Sequence, residues 1–135
     1  MSESRLLSRQ TVLRLASVAE TATGVLLLII PALVVQLLLG KHLSADGMPV
    51  ARVAGAGLLG LGLAGWPSAE GRAFLPAFRG MLAYNALVSA YLALIAVRHH
   101  TGGLLLWPAV IFHCIVALLL VWTWREQTQP NNSRS

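Results

Sequence analysis

The sequence predicts an all-α integral membrane protein: a four-helix bundle running up-down-up-down, with both termini in the cytoplasm. Three observations predict it. The chain has 135 residues, of which 56% are hydrophobic and 11% charged, and its mean hydropathy is +0.70. A soluble domain usually carries about 25% charged residues, because polar groups must cover its surface. Here they are too few, and lipid is the solvent that removes the deficit. The apolar residues also fall into four runs near the roughly 20 residues that cross a bilayer core of about 30 Å. Finally, Lys and Arg collect at alternate ends of those runs.

The elements follow in order. Residues 1–14 mix Arg5, Arg9 and Arg14 with apolar side chains, which suits a segment lying on lipid head groups. The first run, 15–39, is polar only at Ser17, Glu20, Thr21, Thr23 and Gln36. It is too long for a signal peptide and lacks a small-x-small cleavage site. Gly40 to Gly47 holds turn formers, and the second run, 49–66, is interrupted only by Arg52. Pro67 to Arg79 reads as a loop through Pro67, Gly71 and Pro76. The third run is 80–97; Arg98 to Gly102 makes a tight turn; the fourth run is 103–124. The polar tail, 125–135, predicts disorder. Short connections make neighbouring helices antiparallel, so 15–124 forms one bundle.

Orientation comes from the cations. Arg5, Arg9, Arg14, Arg72, Arg79, Arg125 and Arg134 fall on one side, against Lys41, Arg52 and Arg98 on the other. The positive-inside rule puts the richer side in the cytoplasm of a bacterial inner membrane. Trp66, Trp122 and Trp124 end their runs on that side, and Trp107 lies near the other interface, as an aromatic belt requires. The formal charge of +5 does not indicate a nucleic-acid partner, because the cations are scattered singly and form no stripe along which phosphates could lie. The lone Cys114, between His113 and Ile115, excludes an intramolecular disulfide or a CxxC pair and reads as a buried, inert thiol.

Four residues are candidates for ligand binding or proton relay. Glu20 shares a helix face with Ser17, Thr21 and Gly24 by i, i+3, i+4 spacing. A helix that starts near Arg9 and breaks at Pro31 puts Glu20 at mid-membrane, whereas one running from Ser17 to Leu39 puts it at the interface. A bare carboxylate in lipid costs several kcal/mol, so an embedded Glu20 is protonated or paired. Arg52 either snorkels to the head groups or turns inward to Glu20 or Asp46. Asn85 and Ser89 form a polar stripe beside Tyr84, suited to interhelical hydrogen bonds. His113 has Ala109 and Ala117 on its own face, which implies close contact with another helix. The boldest expectation joins Glu20, Arg52, Asn85 and His113 in one polar cluster.

In the Gly-rich second run, Ala56, Gly60 and Ala64 are four apart, with Gly55 on a second small stripe after Ala51. Small residues let helix backbones approach where lipid supplies no hydrophobic drive. They predict packing within the bundle or a dimer seam, with this run as the central helix. No metal site is expected, because His42, His99 and His100 do not share the depth of His113; haem ligation fails on the same ground. No Walker loop, nucleophile elbow, zincin helix or dinucleotide fingerprint is present.

Four segments carry a resemblance: Pro31 to Gly40, Ala51 to Gly62, Gly80 to Asn85, and Leu106 to His113, with the elements ARxAG, YN and WPAxxxH. Through them, roughly residues 15 to 124 of the chain resemble a group of small four-helix bacterial membrane proteins of no assigned activity, loosely similar to the DoxX-like proteins. DoxX itself is associated with a thiosulfate:quinone oxidoreductase, so the resemblance implies a redox accessory role by analogy of fold. This chain lacks the cysteine pairs that sulfur chemistry would use. The functions in view are a non-catalytic accessory subunit or quinone-binding module of a membrane complex, a proton-coupled transporter working as an oligomer, and an enzyme acting on a lipid. The first demands the least of the sequence. No cofactor is predicted beyond a quinone or lipid. The partners are the bilayer and either further copies or a larger membrane complex.

Overall fold

A computed structural model describes residues 8–66, 74–99 and 102–126. The expected N-terminal interfacial segment before Ser8, the loop from Pro67 to Ala73, the centre of the turn at His100 and Thr101, and the tail from 127 lie outside them. The described residues are all-α, in five helices: α1 (Arg9–Ile29), α2 (Pro31–Leu39), α3 (Gly47–Ala64), α4 (Phe74–His99) and α5 (Leu106–Glu126). Four are long and apolar enough to cross a membrane: Gln10–Ile29, Gly47–Ala64, Leu75–Arg98 and Leu106–Arg125. The chain is a small multi-pass membrane protein in contact with the lipid bilayer.

The first run is not one helix from 15 to 39. The Ser8 side chain caps α1 by accepting from Thr11 N–H, and the helix stops at Ile30, whose φ of −129° and ψ of 54° are not helical. The cause is Pro31, which has no N–H and whose ring would strike the carbonyl four residues back. At the first position of α2 the same ring costs nothing. The third helix of the expected set also starts early, at Phe74 rather than Gly80. Pro76 is tolerated because it sits in the first turn, where N–H groups have no intrahelical partner.

α1 is the central helix, not the Gly-rich α3 as the small stripe implied: it buries the largest share of its span and touches all four others. Its main partner is α3, running antiparallel. A Cβ on Gly24 would lie 2.7 Å from Gly55 O, and one on Gly55 would lie 2.9 Å from Gly24 O, so both backbones are in contact. Further along, Gly62 and Gly65 press against Thr21 and Ser17. The face of α3 that packs within the bundle is therefore Ala51, Gly55, Leu58 and Gly62. Of the predicted packing residues, Gly55 is buried, but Ala56, Gly60 and Ala64 are exposed, and a Cβ on Gly60 would meet nothing within 4 Å.

α4 and α5 form the second antiparallel pair, with Phe78 stacked on Trp124 at 5.5 Å between ring centres. Two apolar cores result. One joins Val12, Leu13 and Ala16 of α1 to Phe78, Met81, Val116 and Leu120. The other joins Leu92, Ala96 and Leu106 to Leu38 of α2 and has no member from α1. At that end, Gly103 N–H donates to Leu38 O (3.1 Å) and Leu105 N–H to Leu37 O (2.8 Å), so the turn before α5 satisfies carbonyls that the end of α2 leaves free. Gly40 closes α2 in the left-handed conformation (φ 68°), which a glycine adopts without steric cost. The α2–α3 and α4–α5 connections thus meet at one end of the molecule.

Candidate functional site: a polar core between two apolar cores

Glu20 lies midway along α1, 2% exposed, above the first apolar core and below the level where the second begins. A helix that starts at Arg9 and breaks before Pro31 is the alternative that puts this carboxyl at mid-span. Across from it stand Asn85 of α4, fully buried, and His113 of α5. His113 Nδ1 is 2.8 Å from Asn85 Oδ1 and 3.7 Å from Glu20 Oε1. Tyr84, one residue before Asn85, joins them through its ring, which stands edge-on to the His113 imidazole.

The hydrogen bonds set the roles of the atoms. Asn85 Nδ2 donates to Met81 O at 2.9 Å, one turn back on α4. That leaves Oδ1, an acceptor, facing the imidazole, so His113 Nδ1 carries the proton and donates. A neutral ring then has Nε2 as its acceptor. Two rings steady the imidazole edge-on: Tyr84 at 5.8 Å and Phe112 at 5.4 Å between ring centres. Glu20 Oε1 is left buried without a hydrogen bond. A buried polar atom without a partner costs about 1–3 kcal/mol, so such an atom calls for a reason. Ser17 Oγ and Thr21 Oγ1, on the neighbouring strip of α1, are likewise buried without hydrogen bonds and face Gly65 and Gly62 of α3.

Of the four sequence candidates, the structure brings together Glu20, Asn85 and His113. Arg52 is not among them: it is exposed on α3. Register explains this. Gly55 packs at Leu28, so Arg52 lies beyond that level, at least eight residues past Glu20, or about 12 Å along the axis at 1.5 Å per residue. It also sits beside Ala51, the residue that faces α1. Tyr84 is the member that sequence reasoning passed over. A tyrosine in the middle of a span, away from the interfacial belt where such rings collect, was the signal for it. Cys114, expected to be buried, is exposed on the outer side of α5.

No protein-family model, curated protein or solved structure matches the chain. What the site can do therefore follows from its own atoms. The 3.7 Å approach to Glu20 is made by the same Nδ1 that donates to Asn85, so the imidazole takes up a second proton only at Nε2, and the imidazolium so formed would pair with an ionised Glu20. Glu20 Oε1 can bond a hydroxyl if ionised, or donate to a carbonyl if it carries the proton. Among the described residues, no three His, Cys, Asp or Glu side chains converge as a metal ligand set.

Proposed function

We propose that this protein is a non-catalytic accessory module of a bacterial inner-membrane complex, an up-down-up-down bundle with cytoplasmic termini that binds a quinone-like molecule at Glu20 and His113. One observation carries the reading: a buried carboxyl oxygen without a hydrogen bond stands beside an imidazole at mid-span. A charged group at the bilayer centre costs about 2.5–3.5 kcal/mol on insertion scales, so such a group is retained where it binds or relays something. A quinone head suits these atoms, since its carbonyl accepts a proton-bearing Glu20 and its reduced hydroxyl donates to either group. The loosely DoxX-like sequence elements point the same way by analogy only.

The test is binding of decylubiquinone to the purified protein, followed by quenching of tryptophan fluorescence. The expected result is saturation at one molecule per chain, with Glu20→Gln and His113→Ala each weakening binding by tenfold or more. Saturable binding that both variants retain in full, or no saturable binding at all, would overturn the proposal. A proton-coupled transporter is the second reading, favoured by two titratable groups, the Glu20 carboxyl and the His113 imidazole, standing side by side on two helices. It predicts substrate-driven proton uptake in proteoliposomes, lost in Glu20→Gln.

A further inference from the structure

One face of α1 changes character at Glu20. Following it along the helix, Val12 is 3% exposed, Ala16 0% and Glu20 2%. The next residues on that face are Thr23, which is exposed, and Leu27, which is half-buried against Gly55 of α3, and Ile30 beyond them is 41% exposed. The face that α4 and α5 cover through Glu20 is exposed at Thr23 and Ile30, with only Leu27 between them packed, on α3. The apolar cores repeat the change: α1 supplies three residues to the first and none to the second, where Leu38 of α2 takes part instead. By antiparallel register, Val110 and Ala109 of α5 stand opposite this stretch, both only partly buried. Glu20, whose Oε1 has no hydrogen bond, is therefore the last buried residue of this face before the stretch of α1 that is exposed beside the α4–α5 pair.

We infer that this stretch borders a lateral entrance from the bilayer, through which a lipid-dissolved molecule with a flat hydroxyl- or carbonyl-bearing head reaches Glu20 while its apolar tail stays between Leu27, Ile30 and the acyl chains. The inference rests on the reading above and adds the route and the orientation of the ligand. The inner end, Glu20, is polar and short of one hydrogen bond, which fits a polar head. The residues past Thr23 are apolar and lie in the hydrocarbon, which fits a tail. A helix from a second copy would cover these residues but bring no partner to Glu20 Oε1.

The experiment uses the full chain in proteoliposomes with dicyclohexylcarbodiimide, a lipid-soluble reagent, read by peptide mass spectrometry. A protonated carboxyl adds across its C=N bond, the proton going to nitrogen and the oxygen to carbon, and the adduct rearranges to a stable N-acylurea that retains every atom of both reactants. Glu20 is expected to be modified, whereas a water-soluble carbodiimide modifies Asp46, exposed in its turn, and spares Glu20. Thr23→Trp should slow the Glu20 reaction at least tenfold, and Leu87→Trp, on the 70%-exposed position of α4, should leave it unchanged. Should Thr23→Trp fail to fold, a Thr23→Cys, Cys114→Ser chain alkylated with a bulky lipid-soluble maleimide should protect Glu20 in the same way. An unreactive Glu20 in the parent chain, or a rate unaffected by either block, overturns the entrance. Protection that appears only as the protein-to-lipid ratio rises shows a second copy over the entrance and overturns the ligand assignment. If decylubiquinone does not bind while the carbodiimide results hold, the entrance stands and the quinone reading alone falls.

Discussion

Asn85 does more at the scale of single residues than its lack of charge implies. Its amide is fixed at one end by Met81 O, and through its other end it decides which nitrogen of His113 bears the proton. Replacing it by leucine of similar size removes that choice and leaves the imidazole free to turn toward Glu20. The Glu20–His113 pair should also behave as a unit. In a double-mutant cycle with Glu20→Gln and His113→Ala, thermal unfolding in detergent is expected to show a coupling of about 0.5–3 kcal/mol. Strict additivity would mean that the 3.7 Å approach carries no energy. Arg52→Ala, paired with Glu20→Gln, is expected to be additive, because Arg52 lies exposed some turns away. The inward turn of Glu20 was legible in its helix face, and that of His113 in its small neighbours. Arg52 was the weak member by depth already in the sequence, and the α1–α3 register makes that separation definite.

At the scale of elements, the α1–α3 seam makes the most definite demand on the sequence. Gly55→Leu drives a side chain into the backbone of α1 and should cost about 1–3 kcal/mol or more, seen as a lower melting temperature in detergent. Gly60→Leu meets open space and should shift stability by no more than about 0.5 kcal/mol. Equal losses in the two variants would show that the outer face of α3 is also packed, against a further copy. The sequence could not tell these glycines apart for a physical reason. Positions 55, 57, 60, 62 and 65 are all glycine, so smallness encircles the helix and carries no period. The break before Pro31 was one of two alternatives the sequence left open, and the structure takes the one that spares a helix interior the kink of a proline.

For the whole molecule, four spans and their antiparallel packing were readable from composition and run length alone, because hydrocarbon leaves a backbone few alternatives to the helix. The asymmetry of the bundle was not. α3 leans on α1 alone for most of its contact, and α4 pairs with α5, an arrangement that follows from side-chain fit rather than hydropathy. Topology remains a matter of charge. Arg79 sits 5.7 Å over the Trp124 ring at the end opposite Lys41 and Arg52. Reporter fusions at Asp46 and His100 are expected to be external, and fusions at Glu70 and after Arg125 cytoplasmic; the reverse pattern would overturn the orientation.

The hydrogen bonds from Gly103 and Leu105 to the last carbonyls of α2 impose an order on biogenesis. During synthesis, Leu37 and Leu38 leave the ribosome more than sixty residues before the turn that bonds them. Until that turn follows, the end of α2 has no internal partners for these groups and must remain near water rather than settle into hydrocarbon. A chain truncated after Arg98 should therefore insert its first three spans yet leave residues 31–46 open to an external protease, while the full chain protects them. Insertion of α5 would then be the step that seals the outer half of the protein.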